Sequence, residues 1–262
     1  MKISALWQKA SDYVGRVSFR QKLYRQSQPI APSTKPTVIF APHQDDETLG
    51  CGGVIALKRQ QGVPVKVVFL TDGRECYTGI PEPLPLSIQE CIQIRQQEAI
   101  AALGTLGVAP SDITFLKYQD STLWSFEGEQ RQAIVTELKD LLVQLNPQEV
   151  YAPYRNDMHT DHIETYRLVK DAVDLLDQPI DFWQYLIWSL WRYEHLDDLV
   201  QSQFANLYHV AIDSVRQQKN QALRAYRSQY VPIVQNFSVL PKSMLTFFDN
   251  SYELFVKVTP DI

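Results

Sequence analysis

Histidine and carboxylate side chains are concentrated in two short segments, and the first is Pro42-His43-Gln44-Asp45-Asp46-Glu47. His43 and Asp46 stand three residues apart, so that both side chains can turn toward one metal ion. Asp45 lies between them and is free to handle a proton. An acidic run of this kind also complements the N-terminus of a helix without any metal. The first segment alone therefore leaves a metal site and a helix cap as alternatives.

The second segment, Asn156-Asp157-Met158-His159-Thr160-Asp161-His162, favours the metal site. The chain has five histidines, and three of them lie in the two segments. His159 and His162 stand three residues apart, which places both imidazoles on one face of a helix. Asp157 or Thr160 could instead cap that helix and leave the histidines exposed. Capping and metal binding are compatible, however, because they use different side chains.

Two histidines and one carboxylate, with a position left for water, are the ligands of a catalytic zinc site. Bound zinc lowers the pKa of its water to about 7 and polarises a carbonyl group. A nearby carboxylate can accept the proton of the water, and a nearby imidazole can stabilise the oxyanion or protonate a leaving amine. The spacing does not decide which aspartate is the ligand and which is the base. Iron(II) also suits this ligand set.

Short apolar runs rich in β-branched residues alternate with helical patterns along the chain, which predicts the elements that position both segments. Strands are predicted at 37–41, 65–70, 113–118, 149–152, 182–191, 207–212 and 252–258. Helices are predicted at 1–26, 48–61, 87–103, 128–145, 160–176 and 214–227. The alternation is typical of a three-layer, Rossmann-like α/β fold with a mostly parallel central sheet. Each segment then follows a strand, at the edge where such sheets bind ligands.

Residues 1–35 are predicted to form an N-terminal amphipathic helix and a linker, followed by one domain at 36–262 whose C-terminal part is irregular. Three prolines in residues 29–36 predict the linker. The apolar stripe of the helix can dock on its own domain or contact a membrane, and we favour docking. No stretch approaches the ~18 apolar residues of a membrane span. Charged residues interrupt 1–26 repeatedly, unlike the apolar region of a signal peptide.

Composition narrows the classes of function. The 262 residues carry a formal net charge of −5, which argues against nucleic acid as the main partner. Cys51, Cys76 and Cys91 show no paired spacing, as expected of a reduced intracellular protein. We therefore expect a soluble, cytoplasmic protein. The sequence does not indicate its oligomeric state.

Three glycines, Gly50, Gly52 and Gly53, follow the first segment, but their spacing is not the G-x-G-x-x-G of a dinucleotide-binding loop. We expect them to allow close packing of the first domain helix against the sheet. The long loop at 74–86 lies at the active edge in this prediction and is expected to influence the choice of substrate. Arg74 is the candidate substrate contact in this loop.

The two segments resemble the hallmark motifs of the LmbE-like, or PIG-L, family of N-acetylglucosaminyl deacetylases. Residues 42–47 are similar to the His-Pro-Asp-Asp-Glu turn of the family, and residues 159–162 are similar to its His-Pro-Asp-His motif. Gln44 and Thr160 replace the usual prolines. Weaker similarities extend over most of residues 37–230, and they include Thr71-Asp72-Gly73, Arg95 with Glu98, Asp120, and the stretch from Lys219 to Gln229.

The resemblance implies an LmbE-like fold and a zinc-dependent hydrolysis that removes an acetyl group from an N-acetylglucosamine-type sugar or its conjugate. It implies that zinc is bound by His43, Asp46 and His162. Asp45, the aspartate beside the ligand, would then be the general base.

The resemblance also implies roles for residues around this centre. His159 would support the oxyanion or the leaving group, and Asp161 would orient a histidine. Arg95 and Asp120 match positions that contact the sugar or its aglycone in relatives, although Arg95 could equally lie on a solvated helix face. Asp157 occupies a place where some relatives carry a tyrosine that helps bind the transition state, and we count it among the candidate substrate-binding residues.

Two other functions remain open. The same metal site could serve an amidase that acts on another small or lipid-linked substrate. The fold could also belong to a Rossmann-like binding protein whose metal site is non-catalytic. Asp45 argues against the binding protein, because a structural metal site has no need of a spare carboxylate beside its ligands.

Overall fold

The computed structural model describes residues 2–77, 86–192, 196–202, 204–231 and 238–259, and for residues 2–10, 76 and 77 it describes the backbone alone. The helices of these residues are α1 (Lys2–Gln26), α2 (Asp46–Gln60), α3 (Ile88–Thr105), α4 (Gly128–Leu145), α5 (Thr160–Asp174), α6 (Trp188–Arg192), α7 (Asp197–Gln201), α8 (Arg216–Leu223), α9 (Arg227–Tyr230) and α10 (Lys242–Phe248). The strands are β1 (Gln28–Ile30), β2 (Thr37–Ala41), β3 (Val65–Thr71), β4 (Ile113–Tyr118), β5 (Glu149–Pro153), β6 (Asp181–Tyr185), β7 (Leu207–Ala211) and β8 (Tyr252–Lys257).

The strands of the described residues form one sheet in the order β1-β7-β8-β6-β5-β2-β3-β4. β8 runs antiparallel to both of its neighbours, β6 and β7, and the other neighbouring pairs are parallel. The prediction of a mostly parallel central sheet is therefore confirmed. Because β2, β3, β4 and β5 all run in one direction, the turns that follow them meet at the same edge of the sheet.

Alternation of side chains along β2 explains the two layers of helices. Val38 and Phe40 pack into one core cluster together with apolar residues of α4 and α5. Ile39 and Ala41 pack into a second cluster with apolar residues of α2, α3 and α8. Successive residues of a strand point to opposite faces, so the two clusters lie on opposite sides of the sheet. The sheet is thus covered by helices on both faces, which gives the three layers that the sequence predicts.

Helix α2 packs so closely against its neighbours that its glycines have no room for a side chain. A Cβ atom on Gly50 would lie 2.4 Å from Cδ2 of Tyr185 in β6. A Cβ atom on Gly53 would lie 2.5 Å from Cγ2 of Ile212, and one on Gly52 would lie 3.1 Å from Cγ of Lys219 in α8. The predicted close packing is therefore confirmed, with the sheet at Gly50 and with another helix at Gly52.

We expect Gly50→Ala to destabilise the fold by about 1–3 kcal/mol, because the added methyl group would overlap the Tyr185 ring in a packed interior. Urea unfolding followed by circular dichroism measures this change in the free energy of unfolding. Gly104→Ala in α3 is the matched control, since outside its chain neighbours and the nearby backbone of α3 no atom of the described residues lies within 4 Å of its Cβ position. There the substitution should stabilise the fold by about 0.5–1 kcal/mol. Equal stability of the two variants would contradict the packing argument.

The predicted strand at 182–191 is wrong beyond its first residues. Strand β6 ends at Tyr185, and helix α6 begins at Trp188. The backbone N–H groups of Trp188 and Ser189 both donate to the Asp157 carboxylate, which supplies acceptors for the first turn of this helix. Aromatic residues are buried equally well in strands and in helices, so the composition of the segment does not reveal the change.

The predicted linker at 29–36 begins with a short strand. Residues 28–30 form β1, which pairs in parallel with β7 at the edge of the sheet. Pro29 is tolerated there because an edge strand can do without one N–H group. Helix α1 precedes this strand and contacts β7 and α6. No helix of the described residues combines the length and the apolar character that crossing a membrane requires.

Two further predictions differ from the structure. The helix predicted at 214–227 is divided, because α8 ends at Leu223 and α9 begins only at Arg227. In the predicted loop at 74–86, residues 74–77 form a 3₁₀ turn. The rest of that loop, from 78 to 85, lies outside the described residues.

Candidate metal centre

Two parallel neighbours in the sheet, β2 and β5, bring the two histidine segments together. His43 follows β2, whereas His159 and His162 lie at the start of α5, after β5. The ring centroids of His43 and His159 lie 4.7 Å apart, and those of His43 and His162 lie 5.5 Å apart. Turns that are distant in sequence thus form one cluster at the carboxyl edge of the sheet.

The Asp46 carboxylate lies between the two predicted histidine ligands. Its Oδ2 atom is 3.2 Å from Nδ1 of His43 and 3.2 Å from Nε2 of His162. Nε2 of His162 is buried and forms no hydrogen bond within the described residues, which is rare for a buried polar atom. Two ligand atoms of a tetrahedral ion with bonds of about 2.1 Å lie roughly 3.4 Å apart. Each nitrogen thus lies from Asp46 Oδ2 at about the separation of two atoms that bind one tetrahedral ion.

The described residues offer two further groupings of ligand atoms around His43. Atoms of His43, His159 and His162 lie within 4.8 Å of one another, and so do atoms of His43, Asp120 and Asp161. In the second grouping, Nε2 of His43 is 3.1 Å from Oδ1 of Asp120 and 3.3 Å from Oδ2 of Asp161. The two ring nitrogens of His43 thus face different carboxylates. One nitrogen can bind a metal while the other donates a hydrogen bond.

Asp157 contacts His162 and does not line the cavity of the site. Its Oδ2 atom is 2.7 Å from Nδ1 of His162, and its side chain has no exposed surface. A carboxylate that accepts the Nδ1–H of a histidine fixes the ring and leaves Nε2 for a metal. The prediction that Asp157 binds substrate does not match this position, because the side chain is fully enclosed.

Asp161 and Asp120 lie against the opposite nitrogen of His43. Asp161 is buried and accepts hydrogen bonds from the backbone N–H groups of Ser121 and Leu123, at 2.7 and 3.3 Å. Burial would raise the pKa of Asp120, but His43 holds this pKa below its usual range. Both carboxylates are therefore placed to accept the proton of His43 Nε2.

The charges of the cluster favour a bound cation. Burial would lower the pKa of His162, but the carboxylates of Asp46 and Asp157 raise it to about 9. Burial would likewise raise the pKa of Asp46, and His162 instead holds it below its usual range. The ionised carboxylates thus stabilise positive charge at the centre, whether a proton or a metal ion carries it.

Asp45 stands apart from this ligand group, at the N-terminus of α2. Its backbone φ of 144° is positive, which residues other than glycine seldom adopt. The residue is 5% exposed, and its Oδ1 atom lies 3.7 Å from Nη2 of Arg95. Burial raises the pKa of Asp45 to about 8, a value suited to a base that works near neutral pH.

His159 is fixed by the backbone at the start of α5. Its Nδ1 atom accepts a hydrogen bond from the backbone N–H of Asp161, at 3.2 Å. A neutral imidazole that accepts at Nδ1 carries its proton on Nε2. Burial, together with the charges of His43 and His162, lowers the pKa of His159 to about 4. The ring is therefore neutral at pH 7 and can donate a hydrogen bond from Nε2.

A cavity of about 220 Å³ opens onto the cluster. The charged or ionisable residues that line it are His43, Asp45, Asp46, Glu75, Arg95, Asp120 and His159. Its apolar lining consists of Leu49, Ile187, Trp188, Val239, Leu240 and Met244. The cavity thus offers both polar groups and an apolar surface to a small molecule.

The two arginines predicted to bind substrate lie in different environments. Arg95 is 4% exposed and lines the cavity, and its guanidinium donates to the carbonyl oxygens of Gln44 and Gly73. The alternative of a solvated helix face is therefore wrong for Arg95. Arg74 is partly exposed and pairs with Asp72 at 2.6 Å. It is not among the residues that line the cavity.

Glu47 and Tyr226 form a part of the site that was not predicted. Glu47 is fully buried and accepts hydrogen bonds from the Tyr226 hydroxyl and from the backbone N–H of Asp45. Burial raises the pKa of Glu47 to about 7. Glu47 thus anchors the turn that carries Asp45. The sequence signal for this role is its position in the first segment, directly after two aspartates.

The fold and the cluster together define a class, a Rossmann-like α/β protein with a candidate metal centre at the carboxyl edge of its sheet. Comparison with known proteins identifies the family. The family model described as PIG-L, GlcNAc-PI de-N-acetylase, matches residues 38–173, which is more than half of the chain. The chain therefore belongs to the PIG-L family, and the resemblance in its two segments is confirmed.

Individual relatives agree with this placement. The probable N-acetyl-alpha-D-glucosaminyl L-malate deacetylase 2 of Bacillus anthracis is 34% identical over 140 residues, which are 52% of this chain and 58% of the relative. The chain thus spans little more than half the length of that relative. A solved structure of a conserved protein from Thermus thermophilus is 25% identical, with a TM-score of 0.62, over 87% of this chain and 96% of that chain. The N,N'-diacetylchitobiose deacetylase of Pyrococcus horikoshii is 26% identical, with a TM-score of 0.56, over 76% and 72% respectively.

Proposed function

We propose that the protein is a metal-dependent deacetylase that hydrolyses the N-acetyl group of an N-acetylglucosamine-type sugar or its conjugate. The observation that carries this proposal is the position of the Asp46 carboxylate, 3.2 Å from one nitrogen each of His43 and His162, with the separate carboxylate of Asp45 on the same cavity. A ligand group and a spare base together suit hydrolysis. The B. anthracis and P. horikoshii relatives, both named as deacetylases of N-acetylated amino sugars, support the choice of substrate class.

We assign His43, Asp46 and His162 as the residues that hold the metal. This choice is supported by the Asp46 carboxylate, whose Oδ2 atom lies 3.2 Å from a nitrogen of each histidine. Zinc suits two histidines and one carboxylate, and iron(II) suits them as well. When bound, such an ion activates water and polarises the carbonyl group of the acetamide.

The remaining side chains then have separate roles. Asp45 accepts the proton of the attacking water and delivers it to the amine that leaves. His159 donates from Nε2 to the carbonyl oxygen as negative charge develops on it. Asp161 and Asp157 accept hydrogen bonds from His43 and His162, and so keep both rings in place.

Two polar residues of the cavity are assigned to the sugar. Arg95 and Asp120 line the cavity beside the metal ligands and supply donors and acceptors for hydroxyl groups. We leave Arg74 out of this set, because its guanidinium pairs with Asp72 and does not line the cavity. Asp157 is also left out and is assigned to His162 instead. The substrate that we propose is thus a small amino-sugar conjugate.

The test combines metal content with acetate release. Plasma mass spectrometry of the purified protein should find close to one zinc or iron ion per chain. The protein should release acetate from N-acetylglucosamine or from its conjugates with malate or inositol. A chelator should abolish this activity, and added zinc or iron(II) should restore it. Metal-loaded protein that releases no acetate from any of these compounds would contradict the proposal and favour a non-catalytic metal site.

A further inference from the structure

Helix α1 packs against the two helices that supply part of the apolar lining of the cavity. We propose that its Arg16 and Arg20 are positioning residues, which hold this lining in place and thereby set the affinity for an apolar group attached to the sugar. The proposal rests on the proposed deacetylase function and deepens it, because it names the chemical class of the aglycone.

Each arginine holds one aromatic ring. The guanidinium carbon of Arg16 lies 4.0 Å from the ring centroid of Trp191 in α6. The guanidinium carbon of Arg20 lies 4.4 Å from the ring centroid of Phe247 in α10. The Trp191 and Phe247 rings also contact each other edge to face, with centroids 5.4 Å apart. The two arginines and the two rings therefore join α1, α6 and α10 into one packed unit.

Arg20 makes a second contact that fixes the end of α10. It is 8% exposed, and its Nη1 donates a hydrogen bond to the carbonyl oxygen of Phe247. Carbonyl groups in the last turn of a helix have no partner within the helix, so a buried arginine is well suited to this position. The Arg20 guanidinium both stacks on the Phe247 ring and donates to the Phe247 carbonyl. It therefore fixes the side chain and the backbone of Phe247 together.

The same two helices reach the cavity one turn away from these contacts. Trp188 stands three residues before Trp191 on α6, and Met244 stands three residues before Phe247 on α10. Both Trp188 and Met244 belong to the apolar lining. Residues three apart lie on neighbouring positions of a helix surface. A shift of α10 away from α1 would therefore displace Met244, and a shift of the Trp191 end of α6 would displace Trp188. Neither helix supplies a ligand of the proposed metal, although the first N–H groups of α6 donate to Asp157.

A ligand that carries an apolar group would gain affinity from contact with this apolar lining. Free N-acetylglucosamine can bind through the polar residues around the metal centre, and it leaves the apolar lining without a partner. An alkyl or aromatic aglycone would cover Trp188 and Met244 and remove them from water. The structure thus predicts that α1 influences the binding of the aglycone and not the chemistry at the acetamide.

The kinetic test compares two substrates, N-acetylglucosamine and octyl N-acetylglucosaminide. Arg20→Ala and Arg16→Ala should each raise KM for the octyl substrate by about tenfold. For the free sugar, KM should stay within about twofold, and so should kcat for both substrates. Arg20→Lys should restore part of the affinity, since it keeps the charge and a donor. Lys22→Ala is the matched control on the exposed face of α1 and should change neither substrate.

Three results would overturn the proposal. One is unchanged KM for the octyl substrate in folded Arg20→Ala and Arg16→Ala proteins. Another is an equal rise of KM for both substrates, which would indicate a general loss of structure. The third is a loss of kcat at constant KM. Circular dichroism of each variant establishes that it is folded.

A binding experiment separates this proposal from the deacetylase function. Octyl glucoside, which has no acetyl group, should change the tryptophan fluorescence of the wild-type protein, because Trp188 lines the cavity. Its dissociation constant should rise by about tenfold in Arg20→Ala. This rise would support the role of α1 even if no acetate release were found. Absence of octyl glucoside binding by the wild type, or equal affinity of both proteins, would overturn it.

Discussion

Asp45→Asn is expected to lower kcat by about 10²–10⁴-fold while the metal content stays the same. Asparagine keeps the shape of the side chain and tolerates positive φ better than most residues, so the turn should persist. What it loses is the ability to accept a proton. In the structure, Asp45 has its raised pKa of about 8 and lies outside the group formed by His43, Asp46 and His162. Steady-state kinetics beside plasma mass spectrometry measures both quantities.

The control for this variant is Asp112→Asn. Asp112 pairs with Lys66 at a distance of 2.8 Å in a partly exposed ion pair, remote in sequence from both segments, and its loss should leave kcat and metal content unchanged. If Asp45→Asn loses its metal instead, the roles of Asp45 and Asp46 are the reverse of those proposed. If it keeps full activity, Asp45 is not the base.

His162→Ala should weaken metal binding by more than about 100-fold. Loss of a residue that only hydrogen-bonds a metal ligand already lowers metal affinity about 10–100-fold, and loss of a ligand should cost more. His159→Ala should keep the metal and lose turnover. The difference follows from the two rings, because Nε2 of His162 faces Asp46 at 3.2 Å whereas Nδ1 of His159 accepts from the backbone N–H of Asp161. Competition with a chelator of known affinity measures metal binding in both variants.

This pair of variants also decides between the groupings of ligand atoms at the site. Atoms of His43, His159 and His162 lie within 4.8 Å of one another, so a site with three histidines is the main competitor. Equal loss of metal from both variants would show that His43, His159 and His162 bind the metal instead. Retention of metal by His162→Ala would exclude His162 as a ligand in either arrangement.

The parts of the fold that follow from local pattern could be predicted from the sequence. Strands β2, β3, β4 and β5 are short, largely apolar and bounded by turns, and helical patterns separate them. Because parallel strands end at one edge, the positions of His43 and His162 after their strands were enough to predict that they meet. The close packing of the α2 glycines could also be predicted, because their spacing is not that of a dinucleotide-binding loop.

The parts that depend on contacts between distant residues could not be predicted. The resemblance to the family places Asp157 among the substrate-binding candidates, yet its carboxylate contacts His162 and also accepts hydrogen bonds from the start of α6. The pattern of apolar and polar residues along the sequence does not indicate hydrogen bonds of this kind. The end of the strand at Tyr185 could not be predicted for the same reason. The acceptors for the first turn of α6 come from the Asp157 carboxylate, which lies outside the segment itself.

The contribution of α1 was equally hidden. Its apolar stripe predicted docking on the domain or contact with a membrane, but it did not indicate the partner helices. Arg16 and Arg20 interrupt that stripe and resemble ordinary surface charges in the sequence. In the structure they contact Trp191 and Phe247, and these contacts connect the first helix with the two helices that line the cavity.

The positive φ of Asp45 lowers the stability of the fold at a residue that we propose turnover requires. A side chain held in such a conformation costs of order 1–3 kcal/mol, and glycine would adopt the same backbone without that cost. A library selected only for resistance to heat or protease should therefore enrich Asp45→Gly, and a library selected for acetate release should reject it. Opposite outcomes at one codon would mark this turn as a place where natural selection has kept strain for the sake of chemistry.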